Sequence, residues 1–166
     1  HIPLLEYYNV EKQLKQSFGK HVNIPSSKGA YLVIEHTEAL HVIDVNSGPN
    51  ITKSVANSEH ALSVNKMAAT EIARQLRLRD MGGIIVIDFI DMPNSEQRKA
   101  LYEHLQAEMK RDKAKHKILP PSKFGLIQIT RQRVRPEINI ETKEENPNAD
   151  GEIIAPIVIA ERMEEV

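Results

Sequence analysis

Hydrophobic and polar residues alternate along the chain with two periods, which predict both strands and helices. Ala30–Glu35 and Leu40–Asn46 are rich in aliphatic and β-branched residues and predict the two strands of a hairpin. Residues 59–79 carry apolar side chains at helical spacing, and Gly82 follows as a helix terminator. We therefore expect a strand hairpin followed by a long amphipathic helix.

The segment Ile84–Ile87 consists of four consecutive β-branched residues. Such a run predicts a central strand that is covered on both faces. A second helix is expected from about residue 95 to 116, and another strand over residues 124–132. Strands and helices interleave over residues 30–135, which predicts an α/β fold.

The two ends of the chain carry weaker patterns. Leu4–Phe18 predicts a helix, and His21–Pro25 predicts a short extended segment. Residues 136–150 are polar and predict a loop. Glu152–Ile159 is either a short strand or irregular, and we expect a helical stub after it.

Composition excludes several classes of protein. The 166 residues are 40% hydrophobic and 27% charged, as in globular domains, but only 4% are aromatic. The absence of cysteine excludes a disulfide scaffold, a thiol nucleophile and a cysteine-ligated zinc or iron–sulfur site. No apolar run is long enough to span a bilayer, and no signal peptide opens the chain. Because the first residue is His1, we expect the chain to be a piece of a longer protein.

The formal net charge of −1 conceals an uneven distribution. Residues 98–135 contain 11 basic and 3 acidic side chains, whereas residues 136–166 contain 2 basic and 9 acidic ones. The basic segment is either a surface for a polyanion or a solvated helix face that only keeps the protein in solution. Charge alone leaves both interpretations open.

Two carboxylates occur in or directly after predicted strands. Asp44 lies in the strand Leu40–Asn46, and Asp88 follows Ile84–Ile87. Ligand sites of open α/β sheets gather beyond the carboxyl ends of strands, where two neighbouring acids would suit Mg²⁺. Asn46 shares the face of Asp44 and could orient a phosphate or a metal-bound water. The alternative is that both acids cap strands and that Asn46 belongs to a turn.

Four strings of residues together resemble the ribonuclease E/G family. They are Ile43–Ser47, Glu71–Asp80, Gly82–Met92, and Phe124–Leu126 followed by Thr130–Arg133. Their order and spacing also agree with the family, and the resemblance covers roughly residues 20–136. It implies the family's deoxyribonuclease I-like catalytic subdomain, an α/β fold with a mixed sheet flanked by helices.

The resemblance implies a bacterial, single-strand-specific endoribonuclease of the cytoplasm that acts in RNA processing, including that of rRNA, and in mRNA decay. Asp44 and Asp88 match the family's Mg²⁺-binding aspartates, and Asn46 matches the asparagine that assists at the scissile phosphate. The implied reaction is hydrolysis by metal-activated water, which leaves 5′-phosphate and 3′-hydroxyl ends.

The resemblance also assigns a role to the basic segment, because its side chains could follow the backbone of single-stranded RNA. The residues that we assign to RNA binding are Lys113, Lys115, Lys123, Arg131 and Arg133. The affinity of such a surface for RNA falls with added salt.

Three parts are expected along the chain on this basis. Residues 1–20 resemble the tail of a preceding ribonuclease H-like part, residues 21–136 form the catalytic subdomain, and residues 137–166 form an acidic linker with the start of a C-terminal region. Asn146–Ala149 stands where the family has a Cys-Pro-x-Cys zinc element, so no zinc link is expected. A homo-oligomer of a full-length parent stays open, as does the activity of this chain without the family's OB-fold domain.

Two other functions use the same residues. A non-catalytic RNA-binding or scaffold module would keep the fold but has no need of both Asp44 and Asp88. A purely structural α/β domain would use the two acids only to cap strands.

Overall fold

The computed structural model describes residues 17–48, 58–122 and 124–134, together with Tyr8, Val10 and Gln13. Within these residues the chain forms an α/β arrangement of six strands and two helices. The helix expected over residues 4–18 lies mostly outside the described residues. Everything expected beyond residue 134 lies wholly outside them.

The helices and strands follow the predicted order except for the short strand His116–Ile118, which begins where the sequence predicted the end of a helix. The strands are β1 (His21–Asn23), β2 (Tyr31–His36), β3 (Leu40–Asn46), β4 (Gly83–Asp88), β5 (His116–Ile118) and β6 (Ile127–Arg131), and the helices are α1 (Ser58–Leu78) and α2 (Ser95–Met109). The hairpin, both helices and the central strand are therefore confirmed. Helix α2 ends earlier than expected, because the chain turns after Met109 towards β5 and the Asp112 side chain accepts a hydrogen bond from the Ala114 amide.

The six strands form one mixed sheet in the order β1-β2-β3-β4-β6-β5. Strands β3 and β4 run parallel, with α1 in the connection between them, and every other neighbouring pair is antiparallel. Strand β4 is thus central, as its sequence predicts. Because β3 and β4 are parallel, their carboxyl ends meet at the same edge of the sheet.

The two helices contact each other, and their buried side chains join those of one face of the sheet in a single core. The core between sheet and helices is aliphatic, which agrees with the scarcity of aromatic residues. Its largest fully buried side chains include Leu32, Ile43, Ile72, Leu76, Ile85, Ile87, Leu105, Ile127 and Ile129. Burying such a side chain stabilises the fold by about 1.5–3 kcal/mol. Among the described residues, no helix combines the length and the apolar character needed to cross a membrane.

The prediction that Ile84–Ile87 is covered on both faces is wrong. Ile85 and Ile87 are 0% exposed beneath the helices, but Ile84 is 41% exposed and Val86 is only half-buried. In the described part of the chain, both helices lie on the same side of the sheet. Most neighbouring strands of this sheet are antiparallel, and antiparallel sheets commonly have one face in water. The more specific deoxyribonuclease I-like classification stays a prediction.

We call this second side the open face of the sheet. It is defined by strand register and by the alternation of buried and exposed positions, since residues paired across strands share a face. Its side chains are His21, Asn23, Tyr31, Val33, Glu35, Leu40, Val42, Asp44, Asn46, Ile84, Val86, Asp88, Lys117, Gln128 and Thr130.

Candidate active site

The structure brings together the two acids that the sequence singled out. Asp44 on β3 and Asp88 on β4 are direct register partners in the parallel pair. Neighbouring strands lie about 4.8 Å apart, so the two carboxylates stand side by side on the open face. Both residues are exposed. We call Asp44 and Asp88 the acid pair.

Asn46 completes this arrangement. It lies two residues beyond Asp44 on the same face, as the period of two predicts, and its Nδ2 donates a hydrogen bond of 2.8 Å to Oδ2 of Asp44. This bond fixes the orientation of one carboxylate of the acid pair. The remaining carboxylate oxygens of the pair are left to face solvent or a ligand.

The chain segment directly after Asp88 is held by a buried amide from α1. The Nδ2 of Asn65 donates to the carbonyl oxygen of Ile90 at 2.8 Å, and the Ile90 amide donates to Oδ1 of Asn65 at 3.0 Å. Asn65 itself is 0% exposed. The sequence pattern did not single out this residue, although an amide among the small and apolar residues that line the buried face of α1 is a signal that could have identified it.

The residues at the acid pair fit a magnesium ion. Mg²⁺ is commonly held by one or two carboxylates, while waters and phosphate oxygens fill its other positions. Among the described residues, no group of three or more His, Cys, Asp or Glu side chains is placed to form a richer metal site. Asp44 and Asp88 would therefore be the ligands, with Asn46 orienting the first of them.

Arg131, assigned above to RNA binding, lies inside the protein instead. It is 5% exposed, and its guanidinium donates at 2.7 Å to a carboxylate oxygen of Asp80 and at 2.7 Å to one of Asp112. It also donates to the carbonyl oxygen of Met81 at 2.9 Å. Because its donors are used in the interior, we remove Arg131 from the RNA-binding residues. We call Asp80, Arg131 and Asp112 the buried ion triad.

The buried ion triad shifts the pKa values of its members. Burial opposes the ionisation of Asp112, but hydrogen bonds from the Arg131 side chain and the Ala114 amide, together with nearby positive charge, outweigh it. The pKa of the Asp112 carboxyl is therefore held below its usual range. Burial likewise opposes the charge on Arg131, yet its hydrogen bonds to Asp112 and Asp80 raise the pKa of the guanidinium.

The other basic residues lie away from the acid pair. Lys113 and Lys115 are exposed in the segment before β5, where the Lys115 carbonyl accepts a hydrogen bond from the Gln132 amide at 2.8 Å. Arg133 is exposed next to Gly82, where an added Cβ would come within 2.1 Å of the Arg133 Cγ. All three lie near the amino end of β4, and the length of that strand, about 17 Å, separates them from the acid pair. Lys123 lies outside the described residues.

The string Glu71–Asp80, which helped to identify the family, forms a network within the fold. The Arg79 side chain donates to the carbonyl oxygens of Ser17 at 3.1 Å and Gly19 at 2.8 Å. Gln75 accepts from Arg79 at 2.7 Å and donates to Glu71 at 2.8 Å. The string therefore anchors the chain before β1 to α1, a structural role that its sequence did not reveal.

Comparison with known proteins shows which family the chain resembles. Residues 1–134 match the sequence model of the Ribonuclease E/G family. The chain is 41% identical over 150 residues to the Ribonuclease E of Escherichia coli (strain K12), which covers 90% of this chain and 14% of that protein. It is 44% identical over 144 residues to the chloroplastic Ribonuclease E/G-like protein of Arabidopsis thaliana, covering 86% of this chain and 14% of the relative.

A third relative is the Ribonuclease E of Nostoc sp. (strain PCC 7120 / SAG 25.82 / UTEX 2576). It is 44% identical over 131 residues, which are 79% of this chain and 19% of the relative. The chain therefore spans less than a fifth of the length of each of these three relatives.

Proposed function

The chain belongs to the ribonuclease E/G family, and on this premise we propose that it is the catalytic part of a Mg²⁺-dependent, single-strand-specific endoribonuclease. The acid pair is the observation that carries the proposal. Asp44 and Asp88 are paired in register on the open face, and Asn46 orients Asp44. An open sheet face, in contrast to a closed pocket, also suits a long and unpaired RNA strand.

The roles of the residues follow from their positions. Asp44 and Asp88 would hold Mg²⁺, which would supply a more acidic coordinated water and charge neutralisation at the reacting phosphate. Asn46 holds the Asp44 carboxylate in place, and Asn65 holds the backbone that follows Asp88. Such preorganised groups need little rearrangement when the substrate arrives. We propose products with 5′-phosphate and 3′-hydroxyl ends.

The basic residues have a supporting role in this proposal. Lys113, Lys115 and Arg133 would contact RNA away from the phosphate that is cut, because they lie near the far end of β4. Lys117 on the open face lies between them and the acid pair. The same proposal includes Lys123, the subdomain limits 21–136, a cytoplasmic location, and action in RNA processing and mRNA decay.

The test of this function is a cleavage assay on a short, unstructured, A/U-rich RNA with increasing Mg²⁺ and analysis of the product ends. We expect cleavage that depends on Mg²⁺. Asp44→Asn and Asp88→Asn should abolish it, because each removes a charged ligand. The matched control is Asp91→Asn, since Asp91 is an exposed aspartate close to the site but not in the acid pair.

The outcomes separate the competing functions. Cleavage that survives either substitution in the acid pair contradicts the assignment of the metal ligands. RNA binding by the wild-type chain without cleavage, even with added Mg²⁺, fits either the non-catalytic RNA-binding module or a catalytic part that needs the family's other domains. Loss of cleavage in Asp91→Asn as well would show that the effect is not specific to the acid pair.

A further inference from the structure

Aromatic residues are few in this chain, and most of those described have a structural contact. The whole sequence has 4 tyrosines, 3 phenylalanines and no tryptophan. Phe89 is 8% exposed, the Phe18 ring lies 5.9 Å from the Arg79 guanidinium, and the Tyr102 hydroxyl donates a hydrogen bond of 3.1 Å to the backbone of β5. Two further aromatic residues are Tyr31, whose ring contacts that of His21, and Phe124, which is 90% exposed.

Tyr31 lies on the open face directly beside the site. It is the register partner of Asn46, and Val33, the next residue of β2 on this face, is the partner of Asp44. Tyr31 and Asp44 are diagonal neighbours in the antiparallel pair of β2 and β3. Such neighbours are about 7–8 Å apart. The ring of His21 on β1 lies 5.8 Å away at a tilt of 47°, and it supports the tyrosine from the side away from the acid pair.

Phe124 lies in the turn between β5 and β6 and is 90% exposed. The turn is built by hydrogen bonds: the Gly125 amide donates to the Ser122 carbonyl at 3.0 Å, and the Ser122 amide donates to the Leu126 carbonyl at 2.9 Å. The Ser122 hydroxyl accepts from the amides of Phe124 and Leu126, both at 3.2 Å. Gly125 has a φ of +82°, which glycine adopts without strain. These hydrogen bonds thus hold the backbone of Phe124, whose ring is exposed.

The strand order places the backbones of these two residues on opposite sides of the acid pair. Tyr31 lies on β2, next to Asp44 on β3, while Asp88 on β4 is followed by β6. Because Ile127 of β6 pairs with Ile87, the turn that carries Phe124 lies at the carboxyl end of β4, where Asp88 lies. With about 4.8 Å between neighbouring strands, β2 and β6 are about 14 Å apart.

On the basis of the proposed function, we propose that Tyr31 and Phe124 each stack against an unpaired RNA base, on the two sides of the phosphate that lies at the acid pair. Unpaired bases are commonly held on aromatic side chains, and this contact tolerates any base because each base has a π-face. In a duplex the bases already stack on one another and are not available. Two such contacts would therefore favour single-stranded RNA without requiring a particular sequence.

The first experiment measures the dissociation constant of a labelled, unstructured RNA by fluorescence anisotropy, with EDTA present to prevent cleavage. Tyr31→Ala and Phe124→Ala should each weaken binding by roughly 5- to 100-fold, the range found for loss of one stacked base. Tyr31→Phe keeps the ring and should bind like wild type. Phe124→Leu keeps apolar bulk without a ring and should bind as weakly as Phe124→Ala.

The second experiment identifies the contacted bases. A series of RNAs, each with one abasic nucleotide, is titrated against the wild-type chain and both alanine variants. If a ring stacks on one base, then removal of that base weakens wild-type binding and leaves the corresponding alanine variant without further loss. The two positions found with Tyr31→Ala and Phe124→Ala should lie on opposite sides of the cleaved phosphate.

Each outcome separates this proposal from the proposed function. A wild-type chain that does not bind RNA overturns both. Wild-type affinity of Tyr31→Ala and Phe124→Ala, in a chain whose cleavage is lost in Asp44→Asn, overturns only the stacking proposal. Full affinity of Phe124→Leu together with weak binding of Phe124→Ala would show an apolar contact instead of stacking at that residue. Folding of every variant is checked by its thermal melting temperature.

Discussion

The two ends of β4 carry the same chemical group in opposite surroundings. Near the amino end, the carboxylates of the buried ion triad both contact Arg131, which is 5% exposed. At the carboxyl end, Asp44 and Asp88 are exposed neighbours. A buried carboxylate requires a partner, whereas an exposed one does not. The contacts of the triad at the amino end of β4 are therefore explained by the stability of the fold.

The stability of the fold gives no comparable explanation for the positions of Asp44 and Asp88. Like charges directly opposite each other on neighbouring strands destabilise a sheet. An external cation between the two carboxylates would relieve this repulsion, and a phosphate could then approach. The comparison therefore separates carboxylates that stabilise the fold, in the triad, from the acid pair, to which we assign a ligand by proposal. Four predictions test this difference.

The largest effect is expected at the amino end. Arg131→Met leaves two carboxylates without their cation in the interior and should lower the free energy of unfolding by about 3–5 kcal/mol. Urea titration followed by circular dichroism measures this loss. Lys113→Met is the control, because it removes an exposed cation nearby and should change stability by less than about 0.5 kcal/mol. Equal stability of both variants contradicts the structural role of the triad.

A smaller loss of stability is expected when Asn65, which holds the backbone after Asp88, is replaced. Asn65→Ala leaves the amide and the carbonyl of Ile90 without their partner and should cost about 1–3 kcal/mol in unfolding free energy. It should also weaken Mg²⁺ binding, because the backbone after Asp88 loses its support. Asn94 caps α2 by accepting from the Glu96 amide, so Asn94→Ala should cost about 1 kcal/mol and leave Mg²⁺ binding unchanged. Unchanged Mg²⁺ binding in both variants would sink the positioning role of Asn65.

Acid should weaken the amino end of β4. The pKa of Asp112 is lower in the folded chain than its unfolded value of about 3.9, so the charged carboxylate stabilises the fold above that pH. This contribution is lost as the pH falls through the folded pKa. Melting temperatures between pH 7 and pH 2 should show the loss in wild type. A smaller loss is expected in Arg131→Met, and an identical pH profile would contradict the assignment.

The smallest change in stability is expected at the acid pair itself. Asp44→Asn relieves the repulsion with Asp88 and should change the free energy of unfolding by no more than about 0.5 kcal/mol. Added Mg²⁺ should raise the melting temperature of wild type and of the Asp91→Asn control, but not that of Asp44→Asn, because only binding to the folded state stabilises it. A similar Mg²⁺ response in all three proteins would argue against a metal at this site.

The pattern of hydrophobic residues predicted those parts of the fold that depend on the sequence within one segment. The hairpin of β2 and β3, helix α1 and the central position of β4 follow from hydrophobic spacing within each segment. The two aspartates were recognisable because each follows or interrupts an apolar strand. Their neighbouring positions follow from one parallel pairing, which the intervening helix α1 makes favourable.

Other features depend on contacts between distant segments, which no local pattern records. In the sequence, nothing distinguishes Arg131 from the other basic residues of its segment. Its two carboxylate partners lie on other parts of the chain, and their contacts allow its burial. The sequence pattern predicts Ile84 to be a core residue. Ile84 is exposed because both described helices lie on the opposite face of the sheet. Asn65 reads as an ordinary helical residue until its contact with Ile90 is seen.

The sequence by itself determined the family, the order of the helices and of every strand but β5, and the residues of the acid pair, because these are properties of short segments and of their order. The tertiary structure alone decided which charges are buried and which side of the sheet stays open. It also placed Tyr31 and Phe124 on either side of the acid pair. The physical reason is that burial and electrostatics depend on all neighbours in space, and most of those neighbours are distant in the chain.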